Sequence, residues 1–211
     1  GNRFYVPTML ADDLAVFDSK RNAAYEFCEA AFFLAYEDGR PVGRIAAIIN
    51  HKANAAWKVN QVRFGWIDFV DNINVSSALL EAVEKWGKER GMTSIVGPLG
   101  FTDFDPEGML VEGFDRLGTM AMIYNHEYYH RHMEKLGYVK ETDWLEFLIT
   151  IPEQLPDKHV RVADIVLKRN KLKIVKKTRR QINKERYGQK LFQLINETYC
   201  NLYGYSLLSE K

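Results

Sequence analysis

Cysteine is scarce in this 211-residue chain: Cys28 and Cys200 are its two, and no metal-ligand spacing relates them. That excludes a disulfide framework and suits a reducing compartment, so a cytoplasmic location is expected and each thiol reads as a small packed residue. Long apolar runs are missing too. The most apolar stretches, Ala30–Tyr36 and Ile45–Ile49, have the length of strands, far short of the ~20 residues that cross a bilayer. Net charge is almost absent, at +1. What is present is a composition 46% hydrophobic and 13% aromatic, enough to bury a core and incompatible with a disordered chain. The length suits one ordinary domain and part of another. Gly1 leads straight into the apolar Phe4-Tyr5-Val6-Pro7, which reads as a cropped N-terminus.

The small net charge conceals an asymmetry. Residues 158–190 carry 13 Lys/Arg against 2 Asp/Glu, a surplus of +11 that leaves −10 for the remainder. Such a block is solvated, paired internally, or turned toward an anionic partner. Nucleic acid is the less favoured partner, because Phe192, Tyr199, Tyr203 and Tyr205 follow the basic run rather than interleave with it. An anionic membrane surface remains open for residues 158–190.

Along the chain, residues 1–30 read as a loop with a short helix. Ala31–Tyr36 and Val42–Asn50 flank Glu37-Asp38-Gly39-Arg40-Pro41, strong turn chemistry, and so predict a β-hairpin. Gln61–Val70 predicts a third strand. Ala78, Leu79, Ala82, Val83 and Trp86 then recur at helical spacing. Asn74 or Ser76 is the expected cap and Gly91 the stop. Thr93–Val96 is a short strand. Gly97–Met120 is a long loop rich in glycine and acids, a length that usually signals function. His126–Leu136 predicts a second helix and Trp144–Ile151 a closing strand. A helix joining neighbouring strands implies a parallel crossover. The expected class is therefore α/β (α+β), a mixed central sheet with flanking helices over 1–152. A basic extension over 153–211 follows. There Lys171-Leu172-Lys173-Ile174 alternates like a half-buried strand, Gln189–Leu202 is an amphipathic helix, and Tyr205–Lys211 reads as the start of a second lobe.

Three segments within roughly 30–150 resemble the GNAT superfamily of acyl-CoA N-acyltransferases, in particular a larger bacterial subgroup. Val75–Trp86 running to Arg90-Gly91 looks like that family's central helix. Tyr124-Asn125 with Met133-Glu134-Lys135-Leu136-Gly137-Tyr138 resembles its closing helix. Val42-Gly43-Arg44-Ile45-Ala46 resembles its Val-Gly strand. The resemblance implies acetyl-CoA or another acyl-CoA as cofactor, with backbone groups of Phe69 and Val70 beside the pantetheine. Asn74, Val75, Ser76 and Ser77 would lie at the pyrophosphate, and Asn125 at the start of the last helix. A helix N-terminus does attract such an anion. The sequence departs from the family at two places. Asp71-Asn72-Ile73-Asn74-Val75-Ser76 stands where a basic, glycine-rich turn is the pattern, and an acid there repels phosphate. Met133 holds the place of the tyrosine that protonates the departing thiolate, leaving Tyr128 and Tyr129 for that task. Glu107 and Glu112 in the long loop are the expected bases for the amine.

His126-Glu127-Tyr128-Tyr129-His130 is also a literal His-Glu-x-x-His, which on a helix could hold zinc. Met133 and Leu136 occupy the later glycine and histidine positions of the metzincin pattern, so a third ligand is wanting and no metal is expected. The expected function is acyl transfer from acyl-CoA to a small-molecule or lipid amine. The alternative is a non-catalytic module that has lost its pyrophosphate turn, and a zinc hydrolase is the remote third.

Overall fold

The computed structural model describes residues 2–120 and 122–208. Contacts divide the chain into two units, Gly1–Asp143 with Ile195–Lys211, and Trp144–Leu194.

The first unit is built on a mixed four-stranded sheet in the order β1-β2-β3-β4. The hairpin forms as expected, β1 (Cys28–Glu37) against β2 (Arg40–Asn50), because Asp38 and Gly39 take the positive φ its turn needs. β3 (Gln61–Phe69) pairs antiparallel with β2, and β4 (Ser94–Val96) pairs parallel with β3. The crossover is α3 (Ile73–Lys88), preceded by α1 (Leu10–Phe17) and α2 (His51–Trp57) and followed by α4 (Tyr128–Lys135).

β2 alternates between two cores. Ile45, Ala47 and Ile49 face a cluster with Val75, Leu79, Leu80 and Val83 of α3 and Tyr129 and Met133 of α4. Ala46 and Ile48 face Ala24, Cys28 and Phe101 on the opposite side. Gly43 is what lets α3 lie so close, since a Cβ there would stand 2.8 Å from Leu79 Cδ1.

β3 changes parity midway. Arg44 pairs with Asp68 but Ala46 with Gly65, so β3 holds one extra residue, and Trp66 takes φ 45°. This β-bulge brings Phe64 before it and Ile67 and Phe69 after it to the same core. It also bends β3. Pairing with β4 stops at Arg63↔Val96, with one further bond from Leu99 N–H to Phe64 C=O (2.8 Å).

Four expectations are corrected. Asn72 caps α3, two residues ahead of Asn74, its side chain accepting the Asn74 N–H. α2 was not expected; buried Asn50 caps it through the Ala53 N–H and Lys58 at φ 56° ends it. Trp144–Ile151 is not a strand: no sheet edge receives it among the described residues, and β-propensity alone cannot satisfy its backbone. The Lys171–Ile174 strand is absent as well, and Leu172 and Ile174 are exposed.

Gly204 and Tyr205 belong to the first unit, and their carbonyls are held within it. Arg63 donates to Gly204 C=O (2.9 Å), and Trp57 Nε1 to Tyr205 C=O (2.9 Å). Gly1 and residues 209–211 lie outside the described residues. The second unit holds α5 (Asp157–Arg169), α6 (Arg179–Lys184) and the start of α7 (Tyr187–Tyr199), with no buried residue in any of the three. No described helix is long and apolar enough to cross a membrane.

Candidate functional site

The bulge leaves the end of β3 without a strand on one side. Val70 N–H donates to Val42 C=O, so Phe69, one residue back, turns its own N–H and C=O away from β2. Two tyrosines from the first turn of α4 meet them. Tyr128 donates its hydroxyl to Phe69 C=O (2.6 Å), and Tyr129 accepts the Phe69 N–H (3.2 Å) while donating to Asp68 Oδ1 (3.2 Å). The Tyr129 ring also stacks on Phe69, centroids 4.2 Å apart at 23°. Burial first, then the charges of Asp71 and Asp68, raises the Tyr128 hydroxyl above the usual phenol value. Burial and then Asp68 raise Tyr129 further. Both phenols stay protonated, and both protons are engaged.

Above this junction lies an open groove of about 450 Å³. Leu34, Val42, Gly43, Phe69, Val70 and Tyr128 give it apolar walls. Arg44 and Asp68, joined by an Nη2–Oδ2 contact of 2.6 Å, add a polar, half-exposed ion pair to its lining. His126 stands exposed at the rim, its ring stacked on Tyr128 at 5.5 Å. It is the side chain there suited to accept a proton from an amine.

The amino end of α3 is occupied from within. Asn74 N–H donates to Asn72 Oδ1 (3.0 Å), and the Val75 and Ser76 N–H groups turn back to Asn72 C=O (3.0 and 3.3 Å). Asp71 carries its carboxylate to His132 Nε2 (3.0 Å), and His132 Nδ1 meets Ser76 Oγ (2.9 Å). Ser76 and His132 are buried. The turn thus brings its own anion, and the residues present do not fit a pyrophosphate there. Nor do the Phe69 amide groups stand free to pair with pantetheine.

The other expected residues fall elsewhere. Asn125 clamps the long loop by accepting from Leu110 N–H (2.6 Å) and donating to Leu110 C=O (3.1 Å). Ser77 donates to Glu81 (2.6 Å), within its own helix. Glu112 is exposed. Glu107 belongs to a half-buried cluster beneath the loop. Asp103 Oδ1 and Glu107 Oε1 are buried oxygens without a donor, and a proton held between the two carboxyls would pair both. Burial, then the Asp103 charge, pushes Glu107 up to about 7. Arg63, 5% exposed, faces this pair and donates to Gly100 C=O (3.2 Å). A cavity of about 120 Å³ beside Arg63 is lined by Glu141 and Tyr203. Burial pushes the Cys28 thiol up to about 12, consistent with a packing role. Cys200 is exposed.

The zinc pattern loses its premise, because α4 begins at Tyr128 and His126 precedes it. Among the described residues no three His, Cys, Asp or Glu gather as a metal site.

Sequence reasoning missed Asp68, His126 as a groove residue, and the Asp71-His132-Ser76 chain. The bulge had a trace: the apolar positions shift parity from Val62 and Phe64 to Ile67 and Phe69. The His132 link had none, since it joins residues 56 and 61 positions apart.

No protein-family model and no solved structure matches this chain. Two curated relatives do. Protein YghO of Escherichia coli (strain K12) is 32% identical over 168 residues, 79% of this chain and 41% of that protein. Bacterial ceramide synthase of Caulobacter vibrioides (strain NA1000 / CB15N) is 29% identical over 195 residues, 90% of this chain and 49% of that protein. The chain spans less than half the length of either, and is a distant relative of a protein named for ceramide synthesis.

Proposed function

We propose that this chain is the part of an acyltransferase that receives a lipid amine and joins it to an activated acyl group. The groove at the free end of β3 carries the reading. Its apolar walls suit a hydrocarbon chain, the exposed Arg44–Asp68 pair suits the polar head of an amphiphile, and His126 is placed to take the amine proton. The relative's name supports the same class, since ceramide is the amide of a fatty acid with a long-chain amino alcohol. In this scheme the amine nitrogen bonds to the acyl carbon, the bond to the leaving group breaks with its electron pair so that a thioester's sulfur departs as thiolate, and the nitrogen's proton passes to His126. Tyr128 and Tyr129 act as positioning residues, holding the β3 edge and the Asp68 carboxylate.

The test incubates the protein with a long-chain amine and a fatty-acyl thioester and follows the amide by mass spectrometry. His126→Ala is expected to lower the rate at least ~100-fold, the usual worth of a general base. An unchanged rate removes His126 from the reaction, and no amide from the wild type removes the acyltransferase reading. That second outcome favours the other reading, a non-catalytic binding module, which the self-occupied end of α3 supports.

A further inference from the structure

We infer that the second unit, residues 144–194, is a docking element for an anionic bilayer surface. Three observations carry it. The first is charge: the segment holds 13 Lys/Arg against 5 Asp/Glu, and only Lys177, bonded to Glu185 (2.9 Å), forms an ion pair among the described residues. Twelve cations are therefore left to face solvent or an external anion.

The second is exposed apolar surface. Leu145, Phe147, Leu148, Ile149 and Ile151 are 76–91% exposed, consecutive enough to form a patch rather than scattered single residues. Ile174 is 82% exposed in the loop after α5.

The third is their combination on one helix. In α5, Val160, Ala163 and Leu167 recur at i, i+3 and i+7, while Arg161, Asp164 and Lys168 take the next stripe and Lys158 and Arg169 flank it. Such a helix has an apolar stripe beside a charged one that is net positive, Arg161 and Lys168 against Asp164, and buries neither in its own unit. A surface of this kind lies in the headgroup region, its apolar side chains entering the acyl boundary and its cations drawn to anionic lipid. Nucleic acid would use the charge but leave the apolar stripe in water. A protein partner of acidic surface would leave Leu148 and Ile151 equally bare.

This inference goes beyond acyl transfer, and its test needs no turnover. The full chain is sedimented with phosphatidylcholine vesicles and with vesicles that also contain phosphatidylglycerol, at low and high salt. Binding is expected to the anionic vesicles alone at low salt and to fall steeply as salt rises. Lys168→Glu with Arg169→Glu, Lys173→Glu and Lys176→Glu should weaken partitioning by roughly 100-fold or more, each basic residue near the surface being worth about a factor of five. All four substitutions are in a unit with no buried helix residue, and an unchanged circular dichroism spectrum verifies folding. Phe147→Asp with Leu148→Asp should weaken the binding that survives at intermediate salt. Three results would overturn the inference. One is no sedimentation with anionic vesicles at low salt, another is binding that the charge reversals leave intact. The third is a salt-resistant oligomer formed without vesicles, which would show that protein covers the patch. None of them bears on the amide-forming assay, so the two readings fail separately.

Discussion

Tyr129→Phe tests the junction on which the groove rests. The substitution removes one oxygen and leaves the ring, so the stack on Phe69 at 4.2 Å persists. What is lost is the acceptor for the Phe69 N–H and the donor to Asp68. Phe69 and Tyr129 are each 4% exposed, so water does not readily replace the missing partner. An orphaned buried N–H costs about 1–3 kcal/mol, offset in part because a phenol no longer has to be desolvated. A net loss of about 1–2 kcal/mol is expected. With a urea slope of about 2 kcal/mol/M, the midpoint falls by roughly 0.5–1 M at unchanged slope. Tyr128→Phe should cost less, about 0.5–1 kcal/mol, since an under-satisfied carbonyl is tolerated better than an orphaned N–H. Amide exchange at Phe69 should accelerate in Tyr129→Phe and change little in Tyr128→Phe. If Tyr129→Phe leaves both the midpoint and the Phe69 amide unaltered, the hydroxyl does not hold the strand edge and the junction is misjudged.

The remaining predictions concern the loop that packs beside β3. The folded state raises Glu107 to about 7, above its unfolded value, so its protonated form is the one the fold favours. Its contribution is full below pH ~4.5 and is lost as pH rises through about 7, on the order of 1–2 kcal/mol after solvent screening. Glu107→Gln should abolish that decline in a pH series of urea midpoints; a parallel decline in the variant would show that other groups cause it. Gly65→Ala would set a Cβ 2.5 Å from the Leu99 carbonyl oxygen and should cost about 2–3 kcal/mol, read as a lower melting temperature. A variant that melts with the wild type would mean that the Leu99 segment yields without penalty.

Much of the scaffold was legible in the chain because local patterns dictate it. The turn at Asp38-Gly39 needs positive φ, and the Leu79–Trp86 spacing produces the helix found at 73–88. The residue pattern located the last helix to within two residues at its start, whereas the link from Asp71 to His132 at the turn before α3 left no such trace. A strand read from Trp144–Ile151 failed because a strand exists only with a partner. The short helix at His51–Trp57 was passed over, although Asn50 caps it.

By itself the sequence determined which segments are apolar, where turns fall, and how positive charge gathers in 158–190, since each of these is set by neighbours a few residues apart. Only the tertiary structure decided that Phe69 meets two hydroxyls, that His132 joins Asp71 to Ser76, and that Asp103 and Glu107 face one another beside Arg63. The physical reason is burial: a polar group withdrawn from water must find its partner wherever the fold brings one, 61 residues away for His132 and Asp71 and 141 for Arg63 and Gly204.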